Sequence, residues 1–179
     1  MKKLELMLLG FILFSSLAYA DRMSNLIVDN LSKQNCIFSE LQLTGGSASQ
    51  TFTDQNTYYQ LTQFTANGPE NGVTADHTND HITILHTGYY MITGSLSFSG
   101  SNTSTYEVQI EVNNGATSKT NVRGNRVIGT GSDVGSMSLS GIVSLTAGDT
   151  LELWGRCTSS ANKDFDMTEG TISIVYIGN

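Results

Sequence analysis

Tyr106-Glu107-Val108-Gln109-Ile110-Glu111-Val112 alternates without a break. Tyr106, Val108, Ile110 and Val112 fall on one face of an extended chain, and Glu107, Gln109 and Glu111 on the other. Successive side chains of a strand point to opposite sides, so this run predicts a strand with one apolar and one polar face. It stops at Asn113-Asn114-Gly115. Asn and Gly tolerate positive φ, which makes this a tight turn and the whole unit a hairpin.

The same period of two reads through most of the second half. Tyr90, Ile92, Gly94, Leu96 and Phe98 share one face of a strand that opens after Thr87-Gly88. Met137, Leu139, Gly141, Val143 and Leu145 share another, opposed by Ser136, Ser138, Ser140 and Ser144. After a turn at Thr146-Ala147-Gly148-Asp149, Leu151, Leu153, Gly155 and Cys157 point inward, and Ile172, Ile174 and Tyr176 do so in a closing strand over Thr171–Ile177. Shorter strands are expected at Tyr58–Phe64 and Ile82–Leu85. A helical period is weakest everywhere; the best candidate, Ser24 to Phe38, is a short helix or an arm. One-sided apolar strands need a second sheet to cover them, so the expected fold is all-β, a two-sheet jelly-roll sandwich.

The chain starts Met1-Lys2-Lys3, runs through an apolar stretch from Leu6 to Leu17 and reaches Ala18-Tyr19-Ala20. A cationic start, a short apolar core and small residues predict a signal peptide over 1–20, cleaved after Ala20. The run is too short for a membrane span, which needs roughly 20 apolar residues. Export places the protein outside the cell, or in the periplasm or on the cell surface of a Gram-negative host. An arm over 21–40 and one domain over 41–179 complete the expected organisation. The leader's Lys2, Lys3 and Glu5 leave the remainder at −8, against −7 for the whole chain. Such an acidic surface excludes phosphate recognition, and with it nucleic acid and anionic membrane as partners. Cys36 and Cys157 could pair within or between chains in an oxidising compartment, and spacing alone leaves that open.

Several stretches resemble the C1q-like domains of the C1q/tumour necrosis factor family. Gly88-Tyr89-Tyr90-Met91-Ile92 is similar to its Gly-x-Tyr strand. Val108 to Gly115 resembles the next strand with its Asn-Gly turn, Ser138 to Leu153 the strand pair around Gly148-Asp149, and Gly170 to Ile177 the last strand. The resemblance covers Leu41 to Asn179 and implies a ten-stranded jelly roll that assembles as a homotrimer, binds proteins or carbohydrates and is not an enzyme. No collagen-like stalk is present, and the Asn-, Thr- and Asp-rich loops are closer to bacterial or phage-borne members.

The residues themselves also point away from catalysis. Gly131-Ser132-Asp133-Val134-Gly135 has Asp133 where a nucleophile elbow needs serine, and no phosphate-binding loop appears. His77, His81 and His86 lie near Asp76 and Asp80, but without a closing set of ligands they read as a surface loop. Asp76-His77-Thr78-Asn79-Asp80 could hold calcium through its oxygens, although it lacks the closing glutamate of a calcium hand; no other cofactor is expected. Glu107, Glu111 and Glu152 read as a solvated outer face rather than as paired hydrolytic carboxylates.

Trp154, Tyr89 and Met91 all fall on outward strand positions, where large side chains mark interfaces or sugar platforms. They are the interface candidates. The leading expectation is an exported, trimeric, non-enzymatic binding or adhesion module. A carbohydrate-binding or carbohydrate-active jelly roll, and a purely structural surface or virion component, are the alternatives.

Overall fold

The computed structural model describes residues 36–46 and 48–179. The expected leader and the arm residues 21–35 lie outside them. The described residues form twelve strands and no helix. These are β1 (Phe38–Leu43), β2 (Ala48–Phe52), β3 (Tyr59–Gln60), β4 (Ala66–Asn67), β5 (Val73–Asp76) and β6 (His81–Ile84). They continue with β7 (Gly88–Gly100), β8 (Thr105–Val112), β9 (Thr117–Val127), β10 (Gly135–Leu145), β11 (Thr150–Cys157) and β12 (Lys163–Gly178). β1 opens at Phe38, ahead of the domain boundary expected at Leu41, and the Tyr58–Phe64 strand shrinks to the two residues of β3.

Two antiparallel sheets form the jelly roll. The front sheet runs β10-β7-β12-β1-β4, with β2 on β12; the back sheet runs β5-β6-β11-β8-β9, with β3 on β11. The alternation that predicts the strands also decides what lies between the sheets. Tyr90, Ile92, Leu96 and Phe98 of β7 are buried against Tyr106, Val108 and Ile110 of β8 and Leu151, Leu153 and Cys157 of β11 in one core. Its densest part is aromatic. Phe165 lies 4.5 Å from Phe98 and 5.5 Å from both Phe52 and Tyr106, centroid to centroid. Tyr106 belongs to the back sheet, but its hydroxyl donates to Asp164 O in the front sheet at 2.5 Å and accepts from Ser101 N at 3.0 Å. A buried phenol needs such partners. This one fastens the two sheets together, and burial raises its pKa.

Gly88 begins β7 at φ +154°, and a Cβ there would sit 2.5 Å from the Tyr176 ring and 2.6 Å from Gly178 O. Only glycine lets the chain turn into this strand so close to the last one. At the other end of the hairpin read first, Asn113, Asn114 and Gly115 all have positive φ, as their types predict.

β9 carries little apolar alternation and was not legible as a strand. Its pairing with β8 slips between Gln109 and Ile110. Such a bulge bends a strand, and here β9 lies against β10, the free edge of the front sheet. Val122 is buried beside Gly141, Asn121 Nδ2 donates to Ile142 O at 2.9 Å, and Lys119 Nζ donates to Ser144 O at 3.2 Å. The edge strand β5 is capped likewise, by Glu70 on Ala75 N (2.7 Å) and by Asn67 on Ala75 O (2.9 Å) and His77 N (2.8 Å).

Candidate functional site

Each sheet has one face in the core and one outward face, and the two outward faces differ in kind. On the front sheet, strand register sets Ile142 of β10 beside Met91 of β7, Met91 beside Val175 of β12, and Val175 beside Phe38 of β1. This is an unbroken apolar row across four strands. Tyr89 stands one position along, between Ser144 and Gly178, and Ile177 flanks it. Ile142 is 55% exposed, Tyr89 and Ile177 50% and Met91 42%. A hollow of about 260 Å³ opens at the β1 end, lined by Phe38, Glu40, Pro69, Ser173 and Val175.

The rest of this face is a ladder of hydroxyls. Ser140, Thr93, Ser173 and Glu40 form the next row, and Ser138, Ser95, Thr171 and Gln42 the one after. Glu40 is held by the Ser173 hydroxyl at 2.6 Å and by the Gln42 amide. The face thus presents an apolar end and a hydroxyl end with little charge. Contiguous exposed apolar side chains of this kind occur at protein-, membrane- and ligand-binding surfaces.

Trp154 is elsewhere. It lies in β11 of the back sheet, paired with Gln109 and Gln60, and faces away from Tyr89 and Met91. Two of the three interface candidates are brought together and the third stands alone. Its indole is half-buried, leans over the β8–β9 turn at Gly115, and donates to Glu152 Oε2 at 3.3 Å.

The carboxylates expected to be solvated are not. Glu107 is 9% exposed and Glu111 and Glu152 3% each. For Glu107 the reason is cross-strand register. Arg156 pairs with Glu107, its guanidinium meeting the carboxylate at 2.8 Å while stacking 4.4 Å above the Tyr58 ring. Tyr58 donates its hydroxyl to the same carboxylate, and Arg123 approaches at 3.6 Å. Burial, then the bond to Glu107, pushes the Tyr58 phenol up to about 12. Burial works against the Glu107 charge, yet Tyr58, Arg156 and Arg123 together hold its carboxyl below the usual range.

A depressed carboxyl pKa gives stability that is present above the unfolded value and lost as pH falls through the folded one. Glu107→Gln should therefore unfold more easily at neutral pH by about 2 kcal/mol, the order of a charged hydrogen-bonded group. The gap from the parent should close in acid. Urea midpoints measured across that range check it; a gap unchanged with pH would show that the charge does not matter.

The histidine-rich segment makes a self-contained turn. Asp76 Oδ1 accepts from Thr78 N (2.9 Å) and Asn79 N (3.3 Å), its Oδ2 from the Asn79 amide (2.8 Å), and His77 Nδ1 meets Asn67 Oδ1 (2.9 Å). Those bonds, the Asn79 amide first, lower the Asp76 pKa against a partial desolvation. Asp80 turns the other way, under the fold, where it accepts from Phe64 N at 3.0 Å. The described residues hold no group of three His, Cys, Asp or Glu placed to share a metal ion. Cys36 is exposed and Cys157 buried, each as a free thiol. No described helix is long and apolar enough to cross a membrane.

No family model matches the chain, and no curated protein does. Among solved structures it is similar to the Eiger TNF of S. frugiperda, with a TM-score of 0.58 and 17% identity over 82% of this chain and 95% of that one. It is also similar to murine APRIL, solved at pH 5.0, with a TM-score of 0.51 and 16% identity over 78% and 99% of the two chains.

Proposed function

We propose that this chain, which has the jelly-roll fold of C1q- and TNF-like domains, works outside the cell as a homotrimeric, non-enzymatic binding module. The observation that carries the reading is the row Ile142–Met91–Val175–Phe38, with Tyr89 and Ile177 beside it. Leaving these side chains in water is unfavourable by about 25 cal/mol for each Å² of apolar surface that a neighbour could cover. A second and a third copy supply the matching surface, as the family resemblance implies. The back sheet, with its different chemistry, then faces outward three times over, and identical weak contacts made together add through avidity. Export is supported by the cationic start, the Leu6–Leu17 stretch and Ala18-Tyr19-Ala20.

Light scattering on the purified protein tests the reading. A mass three times that of one chain at micromolar concentration is the expected result. A monomer that persists as concentration rises would overturn it.

A further inference from the structure

Gln109 and Glu111 stand two positions apart on the outward face of β8, 2% and 3% exposed. The Gln109 amide N–H donates to Glu111 Oε1, and the Ser118 hydroxyl donates to the same oxygen at 2.8 Å. Gln109 Oε1 and Glu111 Oε2 are left buried with no donor. Turning the amide over would set its oxygen against the carboxylate, so its orientation is fixed.

The neighbouring strand sharpens the problem. Glu152 pairs in register with Glu111 and is equally buried. Its donors are all neutral: Asn114 N at 2.9 Å, the Thr150 hydroxyl at 2.5 Å and the Trp154 indole at 3.3 Å. Among the described residues no lysine or arginine reaches either glutamate. Arg123 and Arg156 go to Glu107, Arg126 to Asp133, and Lys119 sends its ammonium to Ser144 O. Two carboxylates directly opposite on adjacent strands, taken out of water with no cation between them, are costly to the fold. Costs of this kind are found at functional sites.

We propose that Gln109, Glu111 and Glu152, beneath the Trp154 indole, form a binding site for a primary ammonium group, as a lysine side chain of a partner presents it. An ammonium carries three donors and one positive charge. Two donors meet Gln109 Oε1 and Glu111 Oε2. The third takes Glu152 Oε2 from the Trp154 N–H, whose 3.3 Å bond is the weakest of those holding Glu152. The indole swings aside and covers the aliphatic stem, where an aromatic face also favours the cation. Sugar hydroxyls would fill the two acceptors but leave both charges uncompensated. A divalent metal would find only two acidic ligands here. The site lies on the sheet opposite the apolar row, so association through that row does not cover it, and binding does not depend on association.

Trp154 is the chain's single tryptophan, so its fluorescence reports on this site alone. The purified protein is titrated with Nα-acetyl-lysine amide and, at equal ionic strength, with the neutral Nα-acetyl-norleucine amide. The expected result is a saturable change in emission with the lysine compound only. In Glu111→Gln, binding weakens at least roughly tenfold. Because that substitution removes an uncompensated buried charge, its urea midpoint equals or exceeds the parent's. The absence of saturation, an equal response to the norleucine compound, or saturation by methyl glycosides or calcium chloride in place of lysine would overturn the proposal. So would a Glu111→Gln protein less stable than the parent, which would show that the carboxylate serves the fold.

Discussion

On the proposed trimer, Met91→Asp is expected to give a monomer without disturbing the fold. Met91 is 42% exposed on the front sheet, with Ile142 and Val175 beside it, so aspartate has room and water in a single chain. If copies cover the row as proposed, the same carboxylate is desolvated in every copy among apolar neighbours. Stranding one unpaired charge in an interface costs several kcal/mol, and symmetry repeats the cost at each junction. Light scattering should give one chain mass, while circular dichroism and the urea midpoint stay close to the parent's. Ser138→Asp, at the hydroxyl end of the same face, should weaken association far less. If Met91→Asp kept the assembled mass, the apolar row would not be the contact surface.

Phe165→Ala is expected to be the most damaging single truncation of the fold. The ring is fully buried between the sheets and packs against Phe52, Phe98 and Tyr106 at 4.5 to 5.5 Å. Removing it forfeits its own transfer energy and leaves a void that three rings cannot close, together about 3–5 kcal/mol. The loss should appear as a lower urea midpoint with little change in slope. Tyr106→Phe isolates the other half of this corner. It keeps the packing and removes the hydroxyl that fastens Asp164 O, so a smaller loss is expected. A Phe165→Ala midpoint within error of the parent would mean that the cluster does not limit stability.

Much of this architecture is legible in the chain because one-sided strands announce themselves. β7, β8, β10 and β11 each keep a strict alternation, and each buries the face it predicts. β9 and the first part of β12 are silent for opposite reasons. β9 lies on an edge and buries little besides Val122, so its sequence carries no apolar period. The Lys163–Met167 stretch alternates, but too briefly after a polar loop to stand out.

The candidate surface was half legible. Tyr89, Met91 and Trp154 all read as outward, and all are. A sandwich has two outsides, however, and nothing local says which one a strand faces. Only the order β10-β7-β12-β1 gathers Tyr89 and Met91 with Ile142, Val175 and Phe38 and leaves Trp154 behind. The misjudged carboxylates have the same origin. Glu107 leaves water because Arg156 and Tyr58, far along the chain, meet it across the sheet. Register, which a single strand cannot reveal, decides between a wet face and a covered one.

Strand edges invite open-ended growth, one chain adding its backbone to the next. Here Asn121 and Lys119 occupy the Ile142 and Ser144 carbonyls of β10, and Glu70 and Asn67 the N–H and carbonyl of Ala75 in β5. At those positions side chains already stand where another chain's backbone would have to bond, which disfavours growth through these two edges. On the proposed trimer, attraction is left to the apolar row, which a closed ring of copies covers. If copies close on that row as proposed, the surface that drives assembly is used up by it, and assembly stops at a finite particle.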